Sequence, residues 1–167
     1  MAYTVRKAQF QDLERIRQIY GNARQFMREH GNPTQWGDSY PEDEMLCKDI
    51  SLGSLFVVTD DNAIHGVFFL DIMEDPTYSE IFEGDWHWHC PYAVIHRIAG
   101  DGTGGILKTA VQFGLDRCNH LRIDTHADNT VMQRAILKQG FSYCGIIYVE
   151  DGTPRLAYDY MDKKIGT

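Results

Sequence analysis

Apolar residues recur along the chain at two different spacings, and the switches between them divide it into elements. Thr4–Lys7 begins a short strand. Leu13, Ile16, Ile19, Tyr20, Ala23, Phe26 and Met27 then fall on one helical face, with arginines and glutamates opposite. Gly31 is a suitable stop for that helix, with Pro33 just beyond. The stretch GNPTQWGDSYP is rich in turn residues yet holds Gln35, Trp36 and Tyr40. Large aromatics in a loop either fold back on the core or line a pocket. PEDEMLCKDI predicts a second helix, with Pro41 near its first turn and acidic residues at its positive end. SLFVVTD and AIHGVFFLDI predict strands joined at Asp60, Asp61 and Asn62, a hairpin signal. Met73 to Pro91 shows no sustained period, and a short helix is expected around Ser79 to Phe82.

The chain is organised around Tyr92 to Leu115. AVIHRIA is an apolar, β-branched run and predicts a buried strand. Gly100, Asp101, Gly102, Thr103, Gly104 and Gly105 follow, and apolar residues then recur with helical period at Ile106, Leu107, Ala110, Val111 and Leu115. Strand, glycine loop and helix together aim backbone N–H groups and a positive dipole end at a phosphate. Glycine lets the backbone approach such an anion without a Cβ in the way. Beyond it, LRIDTHADN predicts a strand, and Asp128 or Asn129 can cap the helix TVMQRAILKQ, which stops at Gly140. FSYCGIIYVE and RLAYDYM are two further strands around Asp151-Gly152-Thr153-Pro154. The order β-α-α-β-β-β-α-β-α-β-β is mixed α/β.

Composition narrows the function classes. The 167 residues suit a single domain spanning 1–167, with 43% hydrophobic and 24% charged content, ordinary for a globular protein. A net charge of −8 argues against nucleic acid or an anionic membrane as partner and favours a cationic substrate such as an amine. With no long apolar run and no signal-peptide core, the cytoplasm is the expected compartment. Cys47, Cys90, Cys118 and Cys144 are irregularly spaced and do not suggest a disulfide framework.

WHWHC offers His87, His89 and Cys90, and in an extended chain the two histidines would face one side. A structural zinc site normally needs four ligands at recognisable spacing; the fourth is not evident, so no metal is expected. The glycine loop also satisfies G-x-G-x-x-G through Gly100, Gly102 and Gly105, with Asp124 where a dinucleotide fold places its ribose-binding acid. Against this, the fingerprint starts in mid-chain, and one helix and a hairpin follow rather than further parallel strands. A Walker loop fits worse, because Leu107 precedes Lys108-Thr109.

Across nearly its whole length the chain resembles the GNAT superfamily of acetyl-CoA-dependent N-acetyltransferases. The resemblance rests on the element order, VRKAQFQDLERIRQIY, the central strand and loop, HRIA, RIDTH, DN before a helix, KQGF at its end and the tail GFSYCGIIYVEDGTPRLAY. It implies a central mixed, mostly antiparallel sheet flanked by about four helices, with CoA in a splay between the central strands. It implies acetyl-CoA as cosubstrate, with Ile98, Ala99, Gly100, Gly102, Thr103, Gly104, Gly105 and Asn129 as its binding residues, and direct transfer of acetyl to the amine of a small molecule or peptide. A homodimer is an option within the family. A non-catalytic acyl-CoA-binding module is the alternative reading, and a dinucleotide enzyme a distant third.

Two positions depart from the family pattern. Counting back from Gly102 and Gly104 places Ala99 where the loop pattern has Arg or Gln; the register from Arg97 through Gly100 to Gly102 satisfies it, with Arg97 inside the predicted strand. The tyrosine general acid that many members carry seven residues after the helix-starting Asn is Ile136 here. A thiol of pKa about 8.5 leaves tolerably without a proton, whereas neutralising an amine of pKa about 10.4 at pH 7 costs roughly 4–5 kcal/mol. A base therefore matters more than an acid. His96, alternating with Val94 and Ile98, is the first candidate and His126 the second; a hydrogen-bonded core or loop role is the structural alternative for each. Gln35, Trp36, Tyr92 and Tyr148 are the expected substrate-binding residues, suited to an amine with an apolar body or a cation over a ring face.

Overall fold

A computed structural model of the protein describes residues 2–61 and 63–162. Asn62, part of the hairpin signal, lies outside them. The order is β1 (Thr4–Lys7), a 3₁₀ turn (Phe10–Asp12), α1 (Leu13–Glu29), α2 (Asp43–Ser51), β2 (Leu55–Thr59), β3 (Ile64–Ile72), a 3₁₀ turn (Pro76–Tyr78), β4 (Ala93–Gly100), α3 (Ile106–Leu115), β5 (His120–Thr125), α4 (Thr130–Lys138), β6 (Ser142–Tyr148) and β7 (Pro154–Met161). The strands and the four α-helices are those the periodicity predicts; the two 3₁₀ turns are not. The sheet has seven strands in the order β1-β2-β3-β4-β5-β7-β6. The pairs β1–β2, β2–β3, β5–β7 and β6–β7 are antiparallel, and β4–β5 is parallel. A dinucleotide fold needs a largely parallel sheet, so the G-x-G-x-x-G match is accidental.

Contacts divide the chain into two compact units, one running to Leu70 and including His96–Ala110, the other Asp71–Ile95 with the residues from Val111 onward. In the first unit β2 is apolar on both faces, with Leu55, Val57 and Val58 fully buried. Helix α1 buries Ile16, Ile19 and Tyr20, and the Tyr20 hydroxyl donates to the Arg97 carbonyl at 2.6 Å. Gly66 and Gly100 form a seat for Ile106, the first residue of α3. A Cβ on Gly66 would lie 2.6 Å from the Ile106 side chain, and one on Gly100 would lie 2.8 Å from it. The helix start is thereby set close against β3 and β4. Pro41 stands before α2 rather than in its first turn, with extended Glu42 as N-cap.

In the second unit β5, β7 and β6 share one sheet face. Tyr78, Trp86, Tyr92, Val94, Cys144, Ile147 and Ala157 form a buried cluster there. The segment after β3 contributes Tyr78 and Trp86 to this cluster. Its expected helix at Ser79–Phe82 is not formed. The turn lies at Pro76–Tyr78, where Asp75 accepts the Thr77 N–H at 2.9 Å and Pro76 presets the first φ. Phe82 instead bridges to Ile146 through two 2.8 Å backbone hydrogen bonds. A free sheet edge outcompetes a marginal four-residue helix.

Candidate functional site: the glycine loop

Strand β4 runs through Gly100, and Gly102, Gly104 and Gly105 then take left-handed φ values of 94°, 87° and 78°. A non-glycine residue would be strained at each. Nothing lies within 4 Å of where a Cβ on Gly102 or Gly104 would sit. These two glycines therefore face open space, whereas Gly100 is a packing glycine. The first i→i+4 bond of α3 runs from the Thr109 N–H to the Gly105 carbonyl at 3.0 Å. The N–H groups of Ile106, Leu107 and Lys108 accordingly have no acceptor inside the helix and mark its positive end.

Asp101 sets the loop's shape. Its Oδ1 accepts the Thr103 N–H at 3.1 Å and hydroxyl at 2.8 Å. Its Oδ2 accepts from His65 Nδ1 at 2.7 Å and Arg15 Nη2 at 3.2 Å. The Tyr3 hydroxyl reaches Thr103 Oγ1 at 2.8 Å and donates to the Gly104 carbonyl at 2.9 Å. His65 is also bound by Asp60 through Nε2 at 2.7 Å. With a carboxylate on each ring nitrogen, the hydrogen bonds to Asp101 and then Asp60 raise its pKa. Burial pushes the Asp101 carboxyl upward, but the hydrogen bonds from His65 and Thr103 outweigh it and the net shift is downward. Asp101 is thus paired with Arg15 and with a histidine biased toward the charged form. Sequence reasoning missed Tyr3, Arg15, His65 and the role of Asp101; no local pattern links residues so far apart in the chain.

His96 is half-buried on β4, with its ring 5.9 Å from Phe69. Arg97 beside it has φ 50° inside the strand. Strand alternation requires extended backbone, so this residue interrupts the period expected to put Val94, His96 and Ile98 on one face. The Arg97 guanidinium donates to Asp49 Oδ2 from Nε at 3.0 Å and Nη2 at 2.8 Å, and lies 4.5 Å over the Phe69 ring. It is a core ion pair rather than part of the loop. Burial pushes the Asp49 carboxyl up in spite of Arg97. Ile98 is half-buried and Ala99 buried in the same strand. Trp36 packs edge-on against Tyr20 at 5.6 Å, and Gln35 accepts from the buried Asn32 at 2.8 Å.

The remaining sequence candidates belong to the second unit. Parallel pairing of β4 with β5 covers Ala93↔Leu121 and Val94↔Arg122. His126 follows β5, and its Nδ1 accepts the Asp128 N–H at 2.9 Å. That fixes hydrogen on Nε2, so the ring has no lone pair for an incoming proton while this turn stands. Asn129 Oδ1 caps α4 by accepting the Met132 N–H at 3.0 Å. Ile136 is fully buried. The Tyr92 ring is buried and its hydroxyl accepts the Asp75 N–H at 2.8 Å. Tyr148 is exposed and meets Phe82 edge-on at 5.4 Å. Asp124 accepts the buried Tyr78 hydroxyl at 2.6 Å.

The mixed sheet, with a glycine loop between a central strand and α3, has the architecture that the resemblance implies. A GNAT-family acetyltransferase from Streptococcus agalactiae matches with a TM-score of 0.85 and 28% identity over 96% of each chain. This likeness supports an acetyltransferase of the GNAT type. A putative acetyltransferase from Salmonella typhimurium, solved with its cofactor acetyl-CoA, shares the fold at TM-score 0.62 and 16% identity, over 98% of this chain and 96% of its own. A ribosomal-protein-alanine N-acetyltransferase from Brucella melitensis shares it at TM-score 0.63 and 17% identity, over 95% and 99%. No protein-family model matches the chain, and no curated protein matches it. Among the described residues no helix is long and apolar enough to cross a membrane.

Proposed function

We propose that the protein transfers acetyl from acetyl-CoA directly to the amine of a small molecule or peptide, with the pyrophosphate held at the Gly102–Gly105 loop and the start of α3. The observation that carries this reading is the pairing of open, left-handed glycines with the unpaired N–H groups of a helix N-terminus. Neutralisation of Asp101 by Arg15 and His65 removes the repulsion a lone carboxylate would exert on phosphate. In the reaction the amine nitrogen forms a bond to the thioester carbonyl carbon, the C–S bond breaks, the thiolate leaves, and the nitrogen gives up a proton. His96 is the proposed acceptor of that proton, because His126 Nδ1 is already engaged. The net charge of −8 suits a cationic amine arriving from solution.

Gly104→Asp places a carboxylate at the open face and should weaken acetyl-CoA binding roughly tenfold or more by calorimetry. Unchanged affinity in a folded variant moves the phosphate site elsewhere. Thiol release across an amine panel then tests transfer: His96→Gln should lower kcat by about 10²–10⁴-fold with CoA affinity intact. A kcat close to wild type assigns the proton to another route.

A further inference from the structure

His89 turns outward, its Nε2 3.5 Å from Asp85, with both side chains about two-thirds exposed. The one-sided arrangement expected of His87 and His89 is therefore not formed. His87 instead meets Asp159 and Cys144, and His120 stands 4.0 Å from that Asp159. Asp159 comes from β7, and His120 opens β5. Cys144 lies where the β6–β7 register passes from Tyr143↔Tyr158 to Gly145↔Ala157, so it is the extra residue of a bulge. Asp159, His120 and Cys144 are all buried.

His87 Nδ1, Cys144 Sγ and an Asp159 carboxylate oxygen lie within 4.8 Å of one another. His87 Nδ1 is 2.8 Å from Asp159 Oδ1 and 3.3 Å from Cys144 Sγ, and the His87 N–H donates to Asp159 Oδ2 at 2.7 Å. His120 supplies an independent observation. Its side chain is 0% exposed, and its Nδ1 lies 3.2 Å from the Cys90 carbonyl, which can only accept. Nδ1 therefore carries a hydrogen, and Cys90 Sγ stands 3.5 Å from the same nitrogen. Nε2 has no hydrogen-bond partner, and at 4.0 Å Asp159 Oδ2 is too far to be one. A buried ring nitrogen with no hydrogen-bond partner, 4.0 Å from a carboxylate, is a costly arrangement that a cation between them would relieve. A backbone carbonyl holding the far N–H is also the usual support of a metal-bound imidazole.

We infer that His87 Nδ1, Cys144 Sγ, Asp159 and His120 Nε2 form a four-ligand site for Zn²⁺. Two imidazoles, a thiolate and a carboxylate are a donor set for zinc rather than for magnesium or calcium. Bonds of about 2.0–2.3 Å place tetrahedral ligands roughly 3.3–3.7 Å apart, so the His87, Cys144 and Asp159 ligand atoms, within 4.8 Å of one another, shift by up to roughly 1.5 Å on loading, and His120 Nε2 closes in from 4.0 Å off Asp159. Burial pushes the Asp159 carboxyl up, but His120 first, then Cys144 and His87, outweigh it and hold it at about 2, so the carboxylate is already ionised. Burial, then Asp159, pushes the Cys144 thiol up, so without a cation it stays protonated. Zn²⁺ bonds to sulfur as the thiol proton passes to solvent, and to His87 Nδ1 as that ring's hydrogen moves from Nδ1 to Nε2. The cation facing Asp159 in the β5–β7 register is Arg122, which donates to the Trp88 carbonyl at 2.8 Å and lies 4.0 Å from both the Trp86 and Tyr92 ring centres. His87 is 44% exposed and gives the ion a way in. With four protein ligands the site is structural, fastening the segment after β3 to β5, β6 and β7. It stands independently of the acetyl-transfer reading.

The test is titration of the full, chelator-stripped chain with Co²⁺, followed by displacement with Zn²⁺. Stoichiometric binding is expected, with the visible bands of tetrahedral Co²⁺, a thiolate-to-metal charge-transfer band, proton release and a Zn²⁺-dependent rise in Tm. Cys144→Ala should abolish the charge-transfer band, and His120→Gln should weaken binding at least about tenfold. His89→Ala should change neither. A wild-type chain showing no Co²⁺ bands or only octahedral ones overturns the site, whether or not the variants fold. So does a charge-transfer band that survives in Cys144→Ala.

Discussion

Asp101 and Asp159 each bind a histidine, yet they do opposite things. Asp101 has a side chain 14% exposed, and each of its oxygens takes two donors from Thr103, His65 and Arg15. Asp159 is 0% exposed and has the N–H groups of His87 on it, with the unpartnered His120 Nε2 standing 4.0 Å off. A saturated carboxylate near water holds a backbone in shape. A carboxylate in the core beside an unsatisfied nitrogen has the chemistry of a ligand waiting for a cation.

The largest expected effect breaks the second arrangement. Asp159→Ala leaves buried donors without their acceptor and should cost roughly 3–5 kcal/mol in urea unfolding. A loss comparable to that of a surface carboxylate would mean the cluster carries no special burden. Gly100→Ala comes next: its Cβ meets Ile106 at 2.8 Å, and overpacking should cost about 1–3 kcal/mol. The double variant with Ile106→Ala should show coupling between the two sites; strict additivity would show that the seat does not position α3. Asp101→Ala should cost less, about 1–2 kcal/mol, because solvent replaces part of what it loses. If it costs as much as Asp159→Ala, the contrast between the two carboxylates fails.

The smallest effect is a pH dependence. The folded pKa of His65 is raised, by Asp101 first and then Asp60. Its contribution is therefore complete below the unfolded value of about 6.5 and is lost as pH rises through the folded value. Asp101 is lowered, so its contribution is present above about 3.9 and fades as pH falls through the folded value. The stability gap between wild type and His65→Gln should be widest between about pH 4 and 6.5 and shrink in alkali. A gap that widens with pH would reverse the assignment.

The order of elements was legible because each is written locally. The α1 stripe from Leu13 to Met27 and the apolar run of β4 carry their own period. So was the loop, since a strand, left-handed glycines and a helix are contiguous. Even there the sequence did not separate packing glycines from open ones, which depends on Ile106 lying across Gly66 and Gly100. The site residues were harder to read. Nothing near His126 in the chain announces that its Nδ1 is taken by the Asp128 N–H, and alternation along β4 could not foresee the left-handed Arg97.

By itself, the sequence determined what short-range periodicity and turn chemistry can encode: among the described residues, the seven strands, the four longer helices and the glycine loop between β4 and α3. Only the tertiary structure decided which charges meet. Asp101 pairs with His65 across 36 positions, and Asp159 with His87 across 72. The physical reason is that a hydrogen bond acts over about 3 Å, while the chain separation it closes is fixed by sheet register and bulges rather than by neighbouring residues.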